Sequence, residues 1–205
     1  MNNPWNNIKL DDYENHMKLD SVQQLQTLHD IMYRQFYCYP ASTIMILGIA
    51  GGNGLDHIDR DKIQTVYGID INRAYLEECI KRYPALSRTF VPIHADLRAE
   101  DITLPEADIV VANLLVEYIG YDHFQRVIQK VNPLYVTCVI QMNIDSSFVS
   151  YSPYLHLLKG LEKDHHQVCE HELFQVMSEI GYKFIYGDEY TLPNGKKLKR
   201  LDYQR

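Results

Sequence analysis

Five short, continuous apolar runs constrain the fold of this chain more than any other feature of its sequence. They lie at 43–47, 65–69, 90–93, 108–112 and 134–140. Strands that are buried on both faces of a parallel sheet have this pattern. Helical patterns separate the runs, notably at 73–83, 123–131 and 170–180. The alternation predicts an α/β fold, in which a mostly parallel sheet is doubly wound by helices.

The last part of the chain has a different pattern. Two strand-like segments, 181–186 and 197–203, flank the turn sequence Pro193-Asn194-Gly195. A short turn that contains Asn-Gly joins strands that run antiparallel. We therefore predict a seven-stranded sheet that ends in an antiparallel C-terminal hairpin.

The residues before the first apolar run have a helical pattern. Apolar side chains recur at helical spacing from Val22 to Phe36, with Asp20 or Ser21 as the predicted N-cap, and a shorter helix is predicted over 11–18. The chain is thus expected to have an N-terminal helical extension at 1–40 and an α/β domain at 41–205.

Charge and composition disfavour some partners. A formal net charge of −7 over 205 residues disfavours nucleic acid, because a basic patch supplies most of the affinity for phosphate backbones. The dense basic run 196–200 is interpreted as the solvated face of the hairpin. The sequence has no signal-peptide pattern and no apolar stretch near the ~20 residues of a membrane span. With four scattered cysteines and no C-x-x-C pair, a cytoplasmic protein without a membrane partner is expected.

A glycine cluster, Gly48 to Gly54, follows the first apolar run directly. Glycine lets the backbone turn sharply and lets a ligand approach without a Cβ in the way. In an open α/β sheet, such a loop at the carboxyl end of a strand is where a nucleotide-like ligand binds. The alternative is a plain tight turn between a strand and a helix.

Acidic residues follow the second and third apolar runs. Asp70 can accept hydrogen bonds from both hydroxyls of a ribose, or it can cap the helix that follows. Asp96 can accept a hydrogen bond from the exocyclic amine of adenine, with Ala95 and Leu97 as apolar flanks. Three strand ends in this order favour a nucleotide-like ligand over three unrelated turns.

These motifs resemble those of the class I S-adenosylmethionine-dependent methyltransferases, over residues 43–203. The segment IMILGIAGGNGL is similar to their first motif, VYGIDIN to the second, HADL to the third and ADIVVANLLVEYIG to the fourth. The resemblance implies a Rossmann-like fold, S-adenosyl-L-methionine as the cofactor, and methyl transfer to a small-molecule acceptor. Two positions depart from the family pattern: Gly48 replaces an acidic residue, and Ala50 replaces the first glycine.

The resemblance also implies which residues form the site. The predicted cofactor-binding residues are Tyr13, His16, Gly48, Ala50, Gly52, Asn53, Asp70, Ile71, Asp96, Leu97 and Asn113. The first two are included because, in resembling proteins, the N-terminal segment folds over the cofactor as a lid. A general base is required only if the nucleophile arrives protonated. The candidate catalytic residues are Glu117, Tyr118, His16 and His123.

Two other functions stay open at this point. The departures at Gly48 and Ala50 favour a chain that binds the cofactor without catalysis. A NAD-dependent oxidoreductase shares the glycine loop, but only one of the three glycines of G-x-G-x-x-G is present, and such enzymes tend to lack the terminal hairpin. No metal is expected, because the histidines at 156, 165, 166 and 171 do not have a recognised ligand spacing.

Overall fold

The computed structural model describes residues 3–143, 149–150 and 152–205, and its centre is one seven-stranded sheet. The strands are β1 Thr43–Leu47, β2 Thr65–Asp70, β3 Phe90–His94, β4 Ile109–Asn113, β5 Tyr135–Met142, β6 Lys183–Thr191 and β7 Lys197–Gln204. Their order in the sheet is β3-β2-β1-β4-β5-β7-β6. Strands β1 to β5 pair in parallel, whereas β7 runs antiparallel to β5 and to β6. The predicted fold class, including the C-terminal hairpin, is confirmed.

Helices cover both faces of the sheet. The described α-helices are α1 Leu10–Met17, α2 Gln24–Tyr37, α3 Arg73–Arg82, α4 Val116–Val131, α5 Leu155–Leu158 and α6 Glu170–Glu179. One apolar layer contains Val127 of α4 and Leu173 of α6, and the other contains Phe36 of α2 and Leu76 of α3. Over the described ranges, no helix is both long enough and apolar enough to cross a membrane.

Helix α2 begins later than its capping pattern predicted. Its N-cap is Gln23, which has a left-handed backbone (φ 52°) and makes no side-chain cap hydrogen bond. The prediction of Asp20 or Ser21 as the N-cap is therefore wrong. Val22 is fully buried and its N–H donates to the Leu19 carbonyl at 2.8 Å, so burial of Val22 in a turn outweighs the local capping preference.

Helix α4 begins at Val116, earlier than the sequence pattern indicated, and this position matters for the site. Gly120 interrupts the helix with φ 75° and ψ 168°, which a residue with a side chain rarely adopts. The kink separates a short first turn, which carries Glu117 and Tyr118, from the long amphipathic part of the helix. The periodicity of the long part alone did not reveal that first turn.

Two of the four cations in the basic run beside the hairpin turn, Lys196 and Arg200, are buried, which corrects the prediction of a solvated face. Arg200 is fully buried and its Nη2 lies 2.6 Å from Asp202 Oδ2, and Lys196 is buried as well. Arg200 lies on β7, an interior strand between β5 and β6, and its Cζ packs 5.1 Å from the centroid of the Tyr186 ring. The other two cations form ion pairs, Lys197 with Glu189 and Lys199 with Glu170.

Candidate active site

A cavity opens where the carboxyl ends of β1, β2, β3 and β4 meet. It measures about 690 Å³ when the part open to solvent is included. Eight of the predicted cofactor-binding residues line it: Tyr13, Gly48, Ala50, Asp70, Ile71, Asp96, Leu97 and Asn113. The fold therefore brings the three strand ends that the sequence singled out to one cavity, which we call the first cavity.

Asp70 joins the glycine loop to the end of β2. Its carboxylate accepts hydrogen bonds from the backbone N–H of Ala50 at 2.9 Å and of Asn72 at 2.8 Å. Capping of α3, the alternative role for Asp70, is performed by Asn72, whose side chain accepts from the Ala74 N–H. Burial raises the pKa of Asp70, and the two backbone donors oppose that shift. Each carboxylate oxygen has two lone pairs, so Asp70 retains acceptor capacity for hydroxyl groups in the first cavity.

The departure at Gly48 has a visible counterpart in the structure. Gly48 has φ +67°, and a Cβ there would lie 3.0 Å from Leu115 Cδ1. Leu115 thus occupies the space that a side chain at this position would enter. Ala50 has a left-handed backbone as well, with φ 48°, which costs an alanine roughly 1–2 kcal/mol. The glycine loop therefore contains a non-glycine residue with a left-handed backbone.

Gly52 and Asn53 do not line the first cavity. A Cβ on Gly52 would lie 2.8 Å from Tyr83 Cε2 and 2.9 Å from Leu55 Cδ1. The amide nitrogen of Asn53 donates to the Leu25 carbonyl at 3.0 Å. Both residues therefore face the protein's own packing, Gly52 toward α3 and Asn53 toward α2.

Gly52→Val is expected to destabilise the fold, because the valine would combine a left-handed backbone (φ +83°) with contacts that are too close. The two effects sum to about 3 kcal/mol. For a domain of this size the melting temperature falls by about 6–12 °C, which a thermal melt measures.

Ala50→Gly is the matched control in the same loop. It relieves the left-handed alanine at φ 48°, so the melting temperature should stay or rise, and ligand binding should be preserved. A Gly52→Val protein that melts with the wild type would contradict the packing described for this loop.

The end of β3 supplies a polar edge and an apolar flank. The Asp96 carboxylate accepts from the Arg98 N–H at 2.9 Å and lies 3.5 Å from Arg98 Nε. Arg98 also lies 3.8 Å from Asp164. Leu97 is buried and lines the first cavity beside them. Arg98 and Asp164 were not predicted, because their approach brings together segments far apart in sequence.

Asn113, at the end of β4, is held by helix α2. Its Nδ2 donates to Gln35 Oε1 at 2.8 Å, and Gln35 Nε2 donates back to Asn113 Oδ1 at 2.9 Å. Gln35 is fully buried and also donates to Thr137 Oγ1 at 3.0 Å. Asn113 therefore lines the first cavity, and its side-chain amide is held in place by hydrogen bonds within the protein. A polar residue on the apolar stripe of α2 was the available sequence signal for Gln35.

The N-terminal segment is attached to α3 beside the first cavity. Asn72 Nδ2 donates to the Trp5 carbonyl and Tyr75 Oη donates to the Ile8 carbonyl, both at 2.9 Å. The guanidinium of Arg82 donates to both carboxylate oxygens of Glu14, at 2.6 and 3.0 Å. Such two-point contacts between arginine and a carboxylate fix orientation as well as distance.

Aromatic side chains of this segment reach the first cavity. The Trp5 ring packs edge-on against Tyr13 and Tyr118, with centroids 5.3 and 5.0 Å apart. Trp5 and Tyr75 line the cavity and were not predicted from the sequence. The single tryptophan of the chain, in an otherwise polar N-terminus, was the signal that could have identified Trp5.

A second chamber adjoins the first cavity and shares Tyr13, Leu114 and Tyr118 with it. It measures about 470 Å³, again including the part open to solvent. Leu114 is one of the few non-glycine residues with a left-handed backbone, at φ 52°. Strained backbone of this kind concentrates at functional sites. His16 and Glu117 line this second chamber and not the first cavity.

Glu117 is a buried carboxyl in the wall of the second chamber, with 2% of its surface exposed. Its Oε1 accepts from the Gln141 N–H at 2.8 Å, and its Oε2 has no hydrogen-bond partner within the described part of the chain. Burial raises the pKa of Glu117 to about 7, although the backbone hydrogen bond from Gln141 opposes this. A carboxyl with such a pKa can accept or release a proton at neutral pH.

The other candidate catalytic residues occupy different positions. His16 Nδ1 lies 2.8 Å from Ser152 Oγ, and burial together with Lys196 lowers the pKa of His16. Burial raises the pKa of Tyr118 well above its ordinary value. His123 lines neither the first cavity nor the second chamber. The structure brings together Glu117, Tyr118 and His16, and it leaves His123 outside.

Glu117→Gln is expected to change how stability depends on pH. In the unfolded chain the carboxyl ionises near pH 4.5, whereas burial keeps it protonated in the folded protein up to about pH 7. Between these values the folded state binds more protons, so raising the pH destabilises the wild type, by about 3 kcal/mol in all. The glutamine variant lacks this effect.

Thermal melts of both proteins from about pH 4.5 to 8 measure the difference. Between about pH 4.5 and 7, the melting temperature of the wild type should fall by about 6–12 °C relative to that of Glu117→Gln. Above about pH 7 the difference between the two melting temperatures should stay constant. The neighbours Tyr13, Tyr118 and Cys138 have pKa values raised above this window and stay uncharged in both proteins. A difference that is constant with pH would contradict the assigned pKa.

One group of side chains in the described ranges has the spacing of a metal site: His29, Asp56 and His57. Its ring nitrogens already have hydrogen-bond partners, since His29 Nε2 lies 2.9 Å from Asp56 Oδ2 and His57 Nε2 lies 3.0 Å from the His29 carbonyl. The group lines neither the first cavity nor the second chamber, so we assign it no role in the site.

Solved structures share this architecture. The N-methyltransferase NodS from Bradyrhizobium japonicum, in complex with S-adenosyl-L-homocysteine, is 10% identical with a TM-score of 0.67, over 100% of this chain and 99% of that one. The magnesium protoporphyrin IX methyltransferase ChlM from Synechocystis is 12% identical with a TM-score of 0.62, over 89% and 82%. The [4+2]-cyclase SpnF is 10% identical with a TM-score of 0.67, over 89% and 82%.

No family model matches the sequence, and no curated protein matches it. At identities of 10–12% the likeness to solved structures establishes the fold. This fold agrees with the strand order, with the antiparallel hairpin and with the share of each chain that the match to NodS covers. The chain has the Rossmann-like fold of the class I S-adenosylmethionine-dependent methyltransferases.

Proposed function

We propose that the chain binds S-adenosyl-L-methionine and transfers its methyl group to a small-molecule acceptor. The observation that supports this best is the first cavity, where the ends of β1, β2 and β3 contribute Ala50, Asp70 and Asp96 in the order of the family motifs. NodS and ChlM, which have the same fold, are methyltransferases with S-adenosyl-L-homocysteine bound.

The residues of the first cavity suit the parts of this cofactor. Asp70 would accept the ribose hydroxyls, and Asp96 the exocyclic amine of adenine, with Ile71 and Leu97 on the faces of the ring. When bound, the cofactor supplies a methyl group that its sulfonium already makes electrophilic. The contribution of the chain is to hold a nucleophile in line with that methyl group, an effect worth up to ~7–11 kcal/mol.

A second function, cofactor binding without methyl transfer, is favoured by one observation. Leu115 occupies the space beside Gly48, so the methionine end of the cofactor would lack the carboxylate that the resembling family provides. The [4+2]-cyclase SpnF also has this fold, which is consistent with a use of the fold other than methyl transfer.

Transfer of an isotopically labelled methyl group tests the proposed function. The protein is incubated with ¹³C-methyl S-adenosylmethionine and a pool of small metabolites, and ¹³C NMR follows the label. A new labelled product, absent without the protein and formed more slowly by Asp70→Ala at limiting cofactor, is the expected result. Binding of the cofactor with no labelled product from any pool would favour the non-catalytic alternative.

A further inference from the structure

We propose that the second chamber binds the methyl acceptor, and that this acceptor is a small amine whose nitrogen pairs with Glu117. The inference rests on the proposed function, since an acceptor site requires a methyl donor in the first cavity. It adds the place of the acceptor, its chemical class and the side chain that selects it.

The position of the second chamber is the first argument. Its boundary with the first cavity consists of Tyr13, Leu114 and Tyr118, which line both. The two spaces therefore adjoin at these three side chains, and the amine nitrogen would pass between them to reach the methyl group. Leu114, with its left-handed backbone, follows directly after the end of β4 and lies at this junction.

The second argument is the unsatisfied oxygen of Glu117. Its Oε2 is buried and has no hydrogen-bond partner among the residues described, while Oε1 is occupied by the Gln141 N–H. A buried acceptor that is left unpaired costs about 1–3 kcal/mol, more if it is charged. Buried polar groups in native proteins nearly always have a partner. A ligand with an N–H group would supply the partner that Glu117 lacks.

The charge of the groups that line the second chamber also favours an amine. Of the polar side chains that line the second chamber, Gln24, Gln141, Tyr13 and Tyr118 do not ionise at physiological pH. Burial, and then the charge of Lys196 outside the lining, lower the pKa of both His16 and His165, and His166 contributes at His165. The shift at Glu117 arises from burial and backbone hydrogen bonds, and no cationic side chain of the described residues contributes to it. Above about pH 7, where Glu117 is ionised, its unneutralised carboxylate attracts a cation and repels an anion. The chamber therefore favours an amine over a carboxylate.

The reaction balances with Glu117 as the proton acceptor. The ammonium group of the acceptor gives a proton to Glu117 Oε2, which leaves a nitrogen lone pair free. That lone pair forms the N–CH₃ bond while the S–CH₃ bond of the sulfonium breaks. The sulfonium becomes a neutral thioether, the methylated nitrogen carries the positive charge, and Glu117 is left as a neutral carboxylic acid.

Three probes of similar shape, one cationic, one neutral and one anionic, test the proposal. Benzylamine, benzyl alcohol and benzoate are titrated into protein saturated with S-adenosyl-L-homocysteine, and saturation-transfer NMR measures their affinities. Benzylamine should bind at least about tenfold more tightly than benzoate, since one charge-assisted contact is worth that factor. Benzoate binding as tightly as benzylamine would overturn the proposal, on the wild type alone.

Two variants locate the effect. Glu117→Gln should weaken benzylamine binding by about tenfold and leave benzyl alcohol nearly unchanged. Glu77→Gln, which removes an exposed carboxylate on α3, should change neither. Unchanged benzylamine affinity in a folded Glu117→Gln protein would overturn the assignment.

Titration of S-adenosyl-L-homocysteine into the same proteins keeps the two proposals apart. Normal binding of this ligand without a preference for the amine would contradict the acceptor chemistry alone. Absence of its binding to the wild type would contradict the proposed function, and the acceptor site with it.

Discussion

Asp70→Ala is expected to weaken the binding of S-adenosylmethionine by at least about tenfold. In the structure the carboxylate lines the first cavity between the glycine loop and the end of β2, and it retains acceptor capacity. A hydrogen bond to a charged group nets about 1.5–3 kcal/mol, and a tenfold change in affinity is about 1.4 kcal/mol. Isothermal titration calorimetry of the variant and the wild type measures the change.

This experiment needs two controls, because Asp70 also accepts hydrogen bonds from the backbone of Ala50 and Asn72. A thermal melt establishes that the variant is folded at the temperature of the titration. Asp61→Ala removes an exposed carboxylate elsewhere on the surface and should leave the affinity unchanged. Wild-type affinity in a folded Asp70→Ala protein would show that Asp70 does not bind the ribose.

Deletion of residues 1–18 is the second change for which we expect a large effect. We propose that this segment is a lid, because Trp5 and Tyr13 line the first cavity and three side chains of the α3 region hold the segment in place. The sheet and α2 remain in the truncated protein, which should fold. Cofactor affinity should decrease, and turnover should decrease further, because a closed site also excludes water. Calorimetry and the methyl-transfer assay measure the two losses.

The point substitution Gly51→Ala disrupts the ion pair between Glu14 and Arg82 without deleting any residues. A Cβ at Gly51 would collide with Glu14 Oε1 and lie 2.7 Å from Arg82 Nη1, so Gly51→Ala should separate this ion pair while the ends of both side chains move aside. Glu78→Gln is the matched control, since it removes the partner of Arg82 within α3 and leaves Glu14 in place.

If the protein that lacks residues 1–18 binds the cofactor as tightly as the full chain, the segment is not a cofactor lid.

Local sequence patterns predicted the parts of the site that depend on strand ends. Buried strands stop where the apolar runs stop, and parallel pairing brings their ends to one edge. Asp70 and Asp96 could therefore be placed beside one cavity without knowledge of any contact. The same reasoning could not show that a Cβ on Gly52 would face Tyr83 and Leu55, because a sequence does not reveal on which side of a glycine loop the protein packs.

The second chamber could not be predicted, because contacts between distant residues form it. His16 meets Ser152, Gln24 bonds to Gln141, and Glu117 accepts from the Gln141 backbone. Neither periodicity nor capping reports such long-range pairs. Sequence position alone suggested Glu117 as a candidate, and its buried, half-satisfied carboxyl became apparent only with the fold.

Calorimetric titration of the wild-type protein with S-adenosylmethionine, its demethylated product S-adenosyl-L-homocysteine, and NAD tests the central claim most directly. We predict that both adenosyl compounds bind to one site per chain, that each competes with the other, and that NAD does not bind. Binding of NAD in place of the adenosyl compounds would contradict it and favour an oxidoreductase. Binding of none of the three by a folded protein would contradict it as well.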